Sequence, residues 1–573
     1  MNVSRRGNPP RGDAGQVEQR EGVILSSSDT APIVIVGGGP VGMMLALNLD
    51  ALGVRSILLN TELRPRWHPK GSSHNSRTME HFRRLGLAGR IRALGLPRDY
   101  PTDVGYFTRW SAWELARLRM PSEREKAATV AAAAPTDQVV EPILRCNQMY
   151  VEAAVFEHLR TRRCVDIRFG WRCDDWHETA DGVEVEVVEV ETGQRRTLAC
   201  AYLAGCDGGQ SAIRRKLDIH YGGDSVERQA YLGGAMVASH VRAPELIPSI
   251  PHAQCWQYWT VNAHIRSNIL TLNGVDEFLF MTQLRDSDDE PDEALIRQRL
   301  ADSLGKEIGF DFVGHWTWTP GQALVADRFS AGRVHLCGDA VHLFTPTGGF
   351  GLNTGIDDAA NLGWKLAAMV QGWGGPELLD SYERERRPIA FRNTGMAKNL
   401  TRNVGKVPVS PALEEDTPVG AAARAETGKA LATFGEEYAS IGIQLGVRYD
   451  GSPLTVGDGC VPPPDDPFRY VPSACPGGRA PHLWLRDRTS LFDHLGPGFT
   501  LLCFDAADAE AAAMRAAAER RGMPLKVVVV DHPEGRGLYE RRLALVRPDQ
   551  HVAWRGDALP DDCSRLLARV TGG

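Results

Sequence analysis

Residues 33–42 read Ile-Val-Ile-Val-Gly-Gly-Gly-Pro-Val-Gly, an apolar run that ends in a glycine-rich turn. Apolar residues at helical spacing follow, and this pattern ends at Gly53, just before a second apolar run over 56–59. The succession predicts one strand–turn–helix–strand unit.

Three glycines in the turn have the spacing of a dinucleotide-binding fold: Gly37, Gly39 and Gly42. Gly37 suits a tight turn, Gly39 lets the backbone approach a diphosphate, and Gly42 lets the helix pack close to the strand. The helix that opens at Pro40 and Val41 would present free N–H groups and the positive end of its dipole to the phosphates.

The acid that binds the ribose is expected about 20 residues after the turn, at the end of the second strand. This chain has Asn60 there, with Glu62 two residues later. An asparagine can still hydrogen-bond a ribose but carries no charge. We therefore expect the ribose contact to come from Asn60, with Glu62 as the substitute.

Composition restricts the class of protein. The 573 residues carry a net charge of −7, with 43% apolar and 24% charged residues, as in an ordinary globular protein of two to four domains. This balance argues against nucleic acid as a partner, and the lack of a long uncharged apolar window argues against a membrane span. The eleven cysteines show no metal-binding spacing and are interpreted as reduced thiols of a cytoplasmic protein.

Two further segments carry chemical residues. Residues 206–214 read Cys-Asp-Gly-Gly-Gln-Ser-Ala-Ile-Arg, and residues 338–346 read Gly-Asp-Ala-Val-His-Leu-Phe-Thr-Pro before a glycine-rich loop and a helix. Together with the first turn, they resemble the FAD-dependent aromatic hydroxylases, the group typified by para-hydroxybenzoate and phenol hydroxylases. The order and separation of the motifs match over about residues 31–400.

The resemblance implies an α/β fold with a Rossmann-like FAD-binding domain and a mixed-sheet substrate domain. Residues 477–502 are similar to the C-terminal region of longer members, which forms a thioredoxin-like domain, although this one lacks a Cys-x-x-Cys pair. The expected division is a flexible tail (1–30), the FAD-binding domain (31–218 with 322–400), the substrate domain (219–321, with 101–140 as a candidate addition), a helical region and linker (401–476) and the thioredoxin-like domain (477–573).

The resemblance also assigns cofactor contacts. Asp339 would bind the ribityl and pyrophosphate part of FAD, Asp207 would have a second cofactor-side role, and Arg214 would pair with phosphate. Residues 346–353 would run beside the flavin ring. The full expected set is Gly37, Gly39, Pro40, Val41, Gly42, Asn60, Glu62, Lys70, Gln148, Asp207, Arg214, Asp339, Pro346, Gly349, Gly351, Leu352 and Asn353, where Lys70 replaces a family arginine and Gln148 matches a family glutamine.

The implied reaction is hydroxylation of a phenolic or polycyclic aromatic substrate. NADPH or NADH would reduce the flavin, O2 would add at C4a, and the resulting hydroperoxide would transfer its distal oxygen to an electron-rich carbon. Epoxidation or Baeyer–Villiger oxidation of a polyketide-like substrate, or a flavin-binding module without turnover, are the alternatives. A homodimer is plausible for long members.

The sequence does not single out a catalytic base. Four residues are candidates by region only, and each also fits a structural role: His74, Tyr258, His264 and Asp276. The aromatic residues Trp256, Tyr258 and Trp259 fit a pocket wall or a half-buried strand face equally well.

Overall fold

The computed structural model describes residues 29–225, 236–284, 291–318, 322–404, 407, 409–505 and 511–573. The tail expected over 1–30 lies outside these ranges except for its last two residues. Within them, strands are numbered in chain order: β1 Ile33–Val36, β2 Ser56–Asn60, β3 Ser73–His74, β4 Val104–Phe107, β5 Glu114–Leu118, β6 Leu144–Arg145, β7 Val165–Phe169, β8 Trp171–Glu178, β9 Val183–Glu189, β10 Arg195–Cys200, β11 Tyr202–Gly205, β12 Tyr221–Ser225, β13 Met236–Arg242, β14 Gln257–Val261, β15 Arg266–Thr271, β16 Glu277–Gln283, β17 Asp311–Trp318, β18 Gln322–Ala326, β19 Ser330–Ala331, β20 Val334–Leu336, β21 His342–Leu343, β22 Phe499–Phe504, β23 Leu525–Val530, β24 Leu543–Val546 and β25 Val552–Gly556.

The helices of the described ranges are α1 Pro40–Ala51, α2 Ser76–Arg84, α3 Ala88–Arg92, α4 Glu123–Ala131, α5 Gln148–Leu159, α6 Ala212–Lys216, α7 Glu293–Leu304, α8 Phe350–Val370, α9 Asp380–Val404, α10 Pro418–Ala432, α11 Ile441–Leu445, α12 Ala512–Arg521, α13 Pro533–Tyr539 and α14 Cys563–Val570. Two short 3-10 turns, Gly338–Ala340 and Thr347–Gly349, precede α8.

A six-stranded sheet in the order β19-β20-β11-β1-β2-β7 forms the centre of the first domain. Strands β20, β11, β1, β2 and β7 are parallel, and β1 lies between β2 and β11. The chain therefore leaves β1 at a point where the strand order reverses, which is where open α/β sheets form a ligand crevice. The glycine-rich turn starts at this crevice.

A second, mixed sheet has the order β17-β13-β16-β15-β14-β4-β5. Its β4 and β5 come from the segment 101–140. One face, which we call the back face, carries Ile269 and Phe280 and packs on α7. The other, the front face, carries Ala238 and Leu279 and packs on Met149 of α5. The front face is therefore turned towards the first domain.

The last domain has the sheet order β23-β22-β24-β25, in which β22 is parallel to β23 and antiparallel to β24. Helix α12 joins the two parallel strands, and α14 follows β25. This is a thioredoxin-like arrangement. Cys503 lies fully buried in its core.

Three local expectations need correction. The sequence pattern over 198–203 predicts one strand, but the structure has two, because β10 ends at Cys200 and β11 starts at Tyr202 beside β1. The spacing of apolar residues over 79–95 predicts one helix, but the structure has two, α2 and α3, separated at Gly86, which has a φ of +74°. Cys460 and Cys475 are paired as a disulfide with Cα atoms 6.1 Å apart, so the interpretation of all cysteines as thiols is wrong for this pair.

Among the described helices, none is both long enough and apolar enough to cross a membrane. In the same ranges, no three His, Cys, Asp or Glu side chains gather as a metal site requires. The domain boundaries given above stay predictions.

Candidate active site

The glycine-rich turn depends on glycine at two of its positions. Gly37 has a φ of +114°, and a Cβ there would lie 2.2 Å from the carbonyl oxygen of Cys206. A Cβ on Gly42 would lie 2.0 Å from the carbonyl oxygen of Gly37. By contrast, no atom of the described chain outside its immediate neighbours lies within 4 Å of a Cβ built on Gly39. Protein atoms fill the space beside Gly37 and Gly42, whereas the space beside Gly39 is open to a ligand.

The first turn of α1 is suited to an anion. Gly39 is its N-cap, no side chain caps the helix, and no acidic residue stands in the first turn. Pro40 occupies the first position, where a missing N–H costs nothing. A pyrophosphate against Gly39 would meet backbone N–H groups and the positive end of the helix dipole.

Small residues bring the other two motifs to this turn. A Cβ on Gly355 of α8 would lie 2.7 Å from Val41, and one on Gly338 would lie 3.0 Å from the same side chain. Cys206 lies against Gly42, 3.3 Å from its Cβ position. The structure therefore brings together three motifs that lie up to about 300 residues apart in the sequence.

Asp339 stands on the 3-10 turn after β20, and its backbone carbonyl accepts a hydrogen bond from the Tyr221 hydroxyl. The residue is exposed to solvent, although protein atoms lie close around its carboxyl. This burial raises the pKa of Asp339, the charges of His342 and Lys70 lower it, and Asp358 raises it. The carboxyl is thus placed to accept a hydroxyl hydrogen bond in the cleft.

Asp207 caps α6, because one carboxylate oxygen accepts from the N–H groups of Ala212 (2.8 Å) and Ile213 (3.3 Å). Its other oxygen, Oδ1, is buried without a hydrogen-bond partner in the described chain. A buried acceptor without a donor is costly, so a cofactor hydroxyl or amide at this oxygen would stabilise it.

Arg214 has a different environment from the one expected of a phosphate ligand. It is buried, its guanidinium lies 3.9 Å from the ring centre of Tyr221, and it donates to the carbonyls of Gly209 (3.1 Å) and Ala340 (3.3 Å). Arg214 therefore joins the Asp207 segment to the Asp339 segment. Its expected pairing with phosphate is untested and stays a prediction.

At the ribose position, Asn60 accepts a hydrogen bond from the N–H of Gly38 at 3.3 Å and donates to the carbonyl of Glu62 at 3.4 Å. The Glu62 carboxylate is about half exposed and pairs with Arg66 at 2.7 Å. The Asn60 side chain is therefore fixed beside the turn, whereas the Glu62 carboxylate is paired with Arg66.

Gln148, at the start of α5, donates from its side-chain amide to Glu152 at 2.5 Å and from its backbone N–H to the carbonyl of Gly71 at 2.8 Å. Burial raises the pKa of Glu152, which Gln148 and the charge of Lys70 lower. Lys70 thus lies within electrostatic reach of both Glu152 and Asp339. Sequence reasoning missed Glu152, although its position four residues after Gln148 places both on one face of α5.

The loop expected beside the flavin ring is held by Asn353. Its Nδ2 donates to the carbonyls of Ser73 (3.0 Å) and Gly349 (2.6 Å), and its Oδ1 accepts from the N–H of Asn75 (2.9 Å). The Asn353 side chain therefore fixes the loop to residues 73–75. This is a supporting role that sequence reasoning did not distinguish from direct contact.

The rest of this loop is open to the cleft. Gly349 is the N-cap of α8 in a left-handed conformation (φ +64°), and no side chain caps the helix. Gly351 and Leu352 in the first turn are half-buried, and Pro346 is exposed. The positive end of the α8 dipole is therefore available to a ring edge that carries negative charge.

A buried charge cluster lies behind Asp339. Arg386 of α9 donates to Asp358 at 2.7 Å and also pairs with Asp357. The second oxygen of Asp358 accepts from the N–H of Gly338 at 3.3 Å and lies 2.6 Å from His342 Nε2. Burial opposes ionisation of Asp358, but Arg386 and His342 hold its pKa below the usual range. The cluster supports the turn that carries Asp339.

The thioredoxin-like domain adds buried charges to the same region. Arg547 donates to both oxygens of Glu385 on α9, at 2.6 and 2.8 Å, and Arg479 donates to both oxygens of Glu80 on α2. All four side chains are buried almost completely. The last domain is therefore joined to the first by charge pairs that water does not screen.

The structure does not bring the four candidate bases together. His74 is fully buried, hydrogen-bonded to the carbonyl of Cys146, and burial lowers its pKa to about 4. His264 is exposed in the turn between β14 and β15.

Tyr258 points to the back face, where its hydroxyl accepts from the N–H of Cys255 at 2.8 Å. Asp276 accepts from Asn273 at 2.8 Å in the turn before β16. Tyr258 therefore points away from the front face. The choice of a catalytic base among the four residues stays a prediction.

The front face carries residues that sequence reasoning did not select. Strand register aligns five side chains in one row across five strands: Trp316, Ala238, Met281, Asn268 and Trp259. Segments of the first domain reach this face. The ring of His68 lies 4.6 Å from that of Trp316, and the Arg145 guanidinium lies 4.2 Å from the ring centre of Trp256 at the start of β14. Only the pairing of distant strands could have revealed this row.

These features fit FAD. The open side of Gly39 and the uncapped α1 suit its pyrophosphate, the unpaired oxygen of Asp207 and the carboxyl of Asp339 suit its hydroxyls, and the uncapped α8 suits its ring. The deviation at Asn60 concerns one hydrogen-bonding group and does not change the shape of the cleft.

Comparison with known proteins agrees. A family model described as "FAD binding domain" matches residues 30–397, and one described as "Aromatic-ring hydroxylase, C-terminal" matches residues 473–573. The FAD-dependent monooxygenase apdD of Emericella nidulans is 32% identical over 97% of this chain and 92% of its own length.

Two solved structures share the architecture. The rebeccamycin biosynthetic enzyme RebC with reduced flavin has a TM-score of 0.84 and 34% identity, covering 95% of this chain and 99% of its own. The flavin-dependent monooxygenase PieE in complex with FAD and substrate has a TM-score of 0.84 and 28% identity, covering 95% and 99%. The chain therefore belongs to the family of FAD-dependent aromatic-ring hydroxylases, the flavin monooxygenases that act on aromatic or polyketide substrates.

Proposed function

We propose that this enzyme hydroxylates a phenolic or polycyclic aromatic substrate, with NADPH or NADH as the reductant and O2 as the oxygen donor. The observation that carries the proposal is the position of the front face. The segments that hold the flavin-ring loop, 67–75 and 144–150, lie against an apolar and aromatic row on the second sheet.

Bound FAD would supply the redox chemistry, taking electrons from the nicotinamide and activating O2 at C4a. The chain's own residues would set the conditions for it. The first turn of α8, held in place by Asn353, would stabilise negative charge on the N1–C2 edge of the ring. Asp339 and Asp207 would hold the hydroxyl groups of the cofactor.

The front face would exclude water from the reacting atoms. Ala238, Met281 and the two tryptophans of the row offer no proton donor to the aromatic face of a substrate other than indole N–H groups. A dry site matters because activated oxygen is lost as H2O2 when water enters.

Arg145 would provide a fixed positive charge at the edge of this site. Its guanidinium is buried, contacts the hydroxyl of Ser73, and stacks on Trp256. Since Ser73 is also held by Asn353, this charge lies next to the flavin-ring loop. A guanidinium stays protonated and favours the ionised form of a phenol, which is the more nucleophilic form.

The test uses the purified enzyme and isotopically labelled O2. We expect a yellow protein with bound FAD that oxidises NADPH or NADH faster in the presence of a phenol or polycyclic aromatic substrate. The product should carry one labelled oxygen as a ring hydroxyl. A labelled lactone or epoxide would support the alternative outcomes, and a protein that cannot bind added FAD would overturn the proposal.

Two further expectations belong to this proposal. A homodimer would elute at twice the mass of the 62.8 kDa chain in size-exclusion chromatography with light scattering. A cytoplasmic location would be seen by fractionation of the producing cells.

A further inference from the structure

The row on the front face has one polar member. Trp316, Ala238, Met281 and Trp259 are apolar or aromatic, and Asn268 stands between Met281 and Trp259. Alternation along β15 fixes its direction, because Ile269 packs on the back face and Leu270 on the front face. The Asn268 amide therefore points to the same side as the row.

This amide is nearly enclosed by protein and has no hydrogen-bond partner in the described chain. Asn268 is only 4% exposed, and no hydrogen bond joins its side chain to any residue in the described parts of the chain. An amide among apolar side chains is stabilised when it gains a hydrogen-bond partner. A polar side chain at such a position has a cost in the free protein that a ligand with a hydrogen-bonding group would remove.

The neighbouring polar groups do not compete for Asn268, because they bond to one another. Trp259 Nε1 donates to Gln257 Oε1 at 3.2 Å, and the Tyr438 hydroxyl donates to the same oxygen at 3.2 Å. On the side of Met281 there is only a thioether, a weak acceptor. These bonds leave the Asn268 amide available to a ligand.

We propose that Asn268 is a specificity-determining residue that hydrogen-bonds an oxygen substituent of the aromatic substrate. The inference rests on the proposed function, because it assigns the acceptor of that reaction. An amide both donates and accepts, so a ring hydroxyl or a ring carbonyl would satisfy it. The same ring system without that oxygen would leave the amide unpaired and would bind less tightly.

The position of Asn268 also predicts where this oxygen lies. Neighbouring strands are about 4.8 Å apart, so Asn268 is about 5 Å from the strand of Trp259 and about 14 Å from the strand of Trp316. A flat substrate that spans the row would therefore carry its recognised oxygen near one end. A substrate that contacts both tryptophans and carries oxygen only at its centre would not place that oxygen at the Asn268 amide.

The test compares binding of 1-hydroxypyrene and pyrene, which share one flat ring system and differ by a hydroxyl. Both are fluorescent, so their dissociation constants are measured on the FAD-loaded enzyme without NAD(P)H. We expect the unmodified enzyme to bind 1-hydroxypyrene about 10-fold or more tightly than pyrene, as one hydrogen bond to a buried amide allows. In Asn268→Leu this preference should fall below about 3-fold, with pyrene binding unchanged or tighter.

Met281→Leu is the matched control, because it changes the neighbouring side chain of the row without removing a hydrogen-bonding group, and it should keep the preference. Asn268→Ala gives a second variant if the leucine disturbs packing, and thermal unfolding reports on folding in each case. Equal binding of the two probes by the unmodified enzyme, or an unchanged preference in both variants, would overturn the inference, as would failure of 1-hydroxypyrene to bind.

This outcome is separable from that of the proposed function. Hydroxyl-dependent binding that depends on Asn268, in an enzyme that transfers no oxygen, would support the inference while the proposed reaction fails. Oxygen transfer by an enzyme whose preference for 1-hydroxypyrene does not change in the Asn268 variants would support the proposed reaction and overturn the inference.

Discussion

Arg386 and Asp358 form a fully buried ion pair, with 2.7 Å between the guanidinium Nε and the carboxylate Oδ1. The other oxygen of Asp358 accepts from the N–H of Gly338, one residue before Asp339. The pair therefore supports the turn that carries Asp339, which we propose as a cofactor ligand.

Arg386→Met should destabilise the protein strongly. Removing the cation leaves the buried carboxylates of Asp357 and Asp358 without their main partner, which costs roughly 3–5 kcal/mol. Urea unfolding of the FAD-loaded enzyme measures the loss. Arg384→Met, at an exposed position of the same helix, is the control and should change stability by less than about 0.5 kcal/mol. Equal effects of the two substitutions would show that the buried pair has no special role.

Asp339→Ala should weaken FAD binding without preventing folding. The alanine removes an acceptor for cofactor hydroxyls, and a hydrogen bond to a charged group is worth about 1.5–3 kcal/mol, or roughly 10- to 150-fold in affinity. Titration of the apoprotein with FAD, followed by flavin fluorescence, measures the dissociation constant. An unchanged constant would remove Asp339 from the cofactor site.

Asn60→Asp should tighten FAD binding. The substitution preserves the acceptor for the N–H of Gly38 and restores a carboxylate at the ribose position. Because charge-assisted hydrogen bonds are about twice as strong as neutral ones, we expect an affinity gain of roughly 3- to 10-fold. The same titration measures it, and Glu62→Gln, at the exposed ion pair nearby, should have little effect. Weaker binding in Asn60→Asp would mean that the asparagine donates to the cofactor rather than accepting from it.

His335→Phe should reduce the loss of stability in acid. Burial lowers the pKa of His335 from its usual 6.5 to about 4, so between these values the unfolded chain binds a proton that the folded chain does not. Its contribution to stability is complete above pH 6.5 and is lost as the pH falls through about 4. Each pKa unit corresponds to about 1.4 kcal/mol, so the change in unfolding free energy between about pH 7 and about pH 4 should be smaller by roughly 3 kcal/mol in the variant.

Urea unfolding at a series of pH values measures this slope. His220→Phe, at an exposed position, is the control and should leave the slope unchanged. If the unfolding free energy of His335→Phe depends on pH as steeply as that of the unmodified enzyme, the assignment of His335 as a buried neutral histidine is contradicted.

The fold around the candidate cofactor site could be predicted where the residues that form it are adjacent in the chain. Gly37, Gly39 and Gly42 act within one turn, and the strand, turn and helix around them follow from residues that are adjacent in the chain. The contacts of Asn353 with residues 73–75 could not be predicted, because they join segments separated by 278 residues. The glycines that allow this approach, such as Gly355, look like ordinary helix interruptions until Val41 is seen against them.

The substrate side was less accessible to prediction for a geometric reason. Alternation along a strand shows that Tyr258 and Trp259 point to opposite faces, but not which face borders the cleft. The structure places Tyr258 on the back face and Trp259 on the front face. The sequence did not single out Asn268, because its place in the row depends on Met281 and Trp259 of neighbouring strands. The residues next to Asn268 in the chain carry no motif.

The charge pairs between the thioredoxin-like domain and the first domain affect how such enzymes can be recombined. Arg479 and Arg547 come from the C-terminal domain, and their partners Glu80 and Glu385 come from helices of the first domain. A chimera that takes its C-terminal domain from a relative would bury a lone charge at each position where the two parents differ. Crossover points in a library of such chimeras should therefore be chosen so that each arginine is inherited together with its glutamate partner.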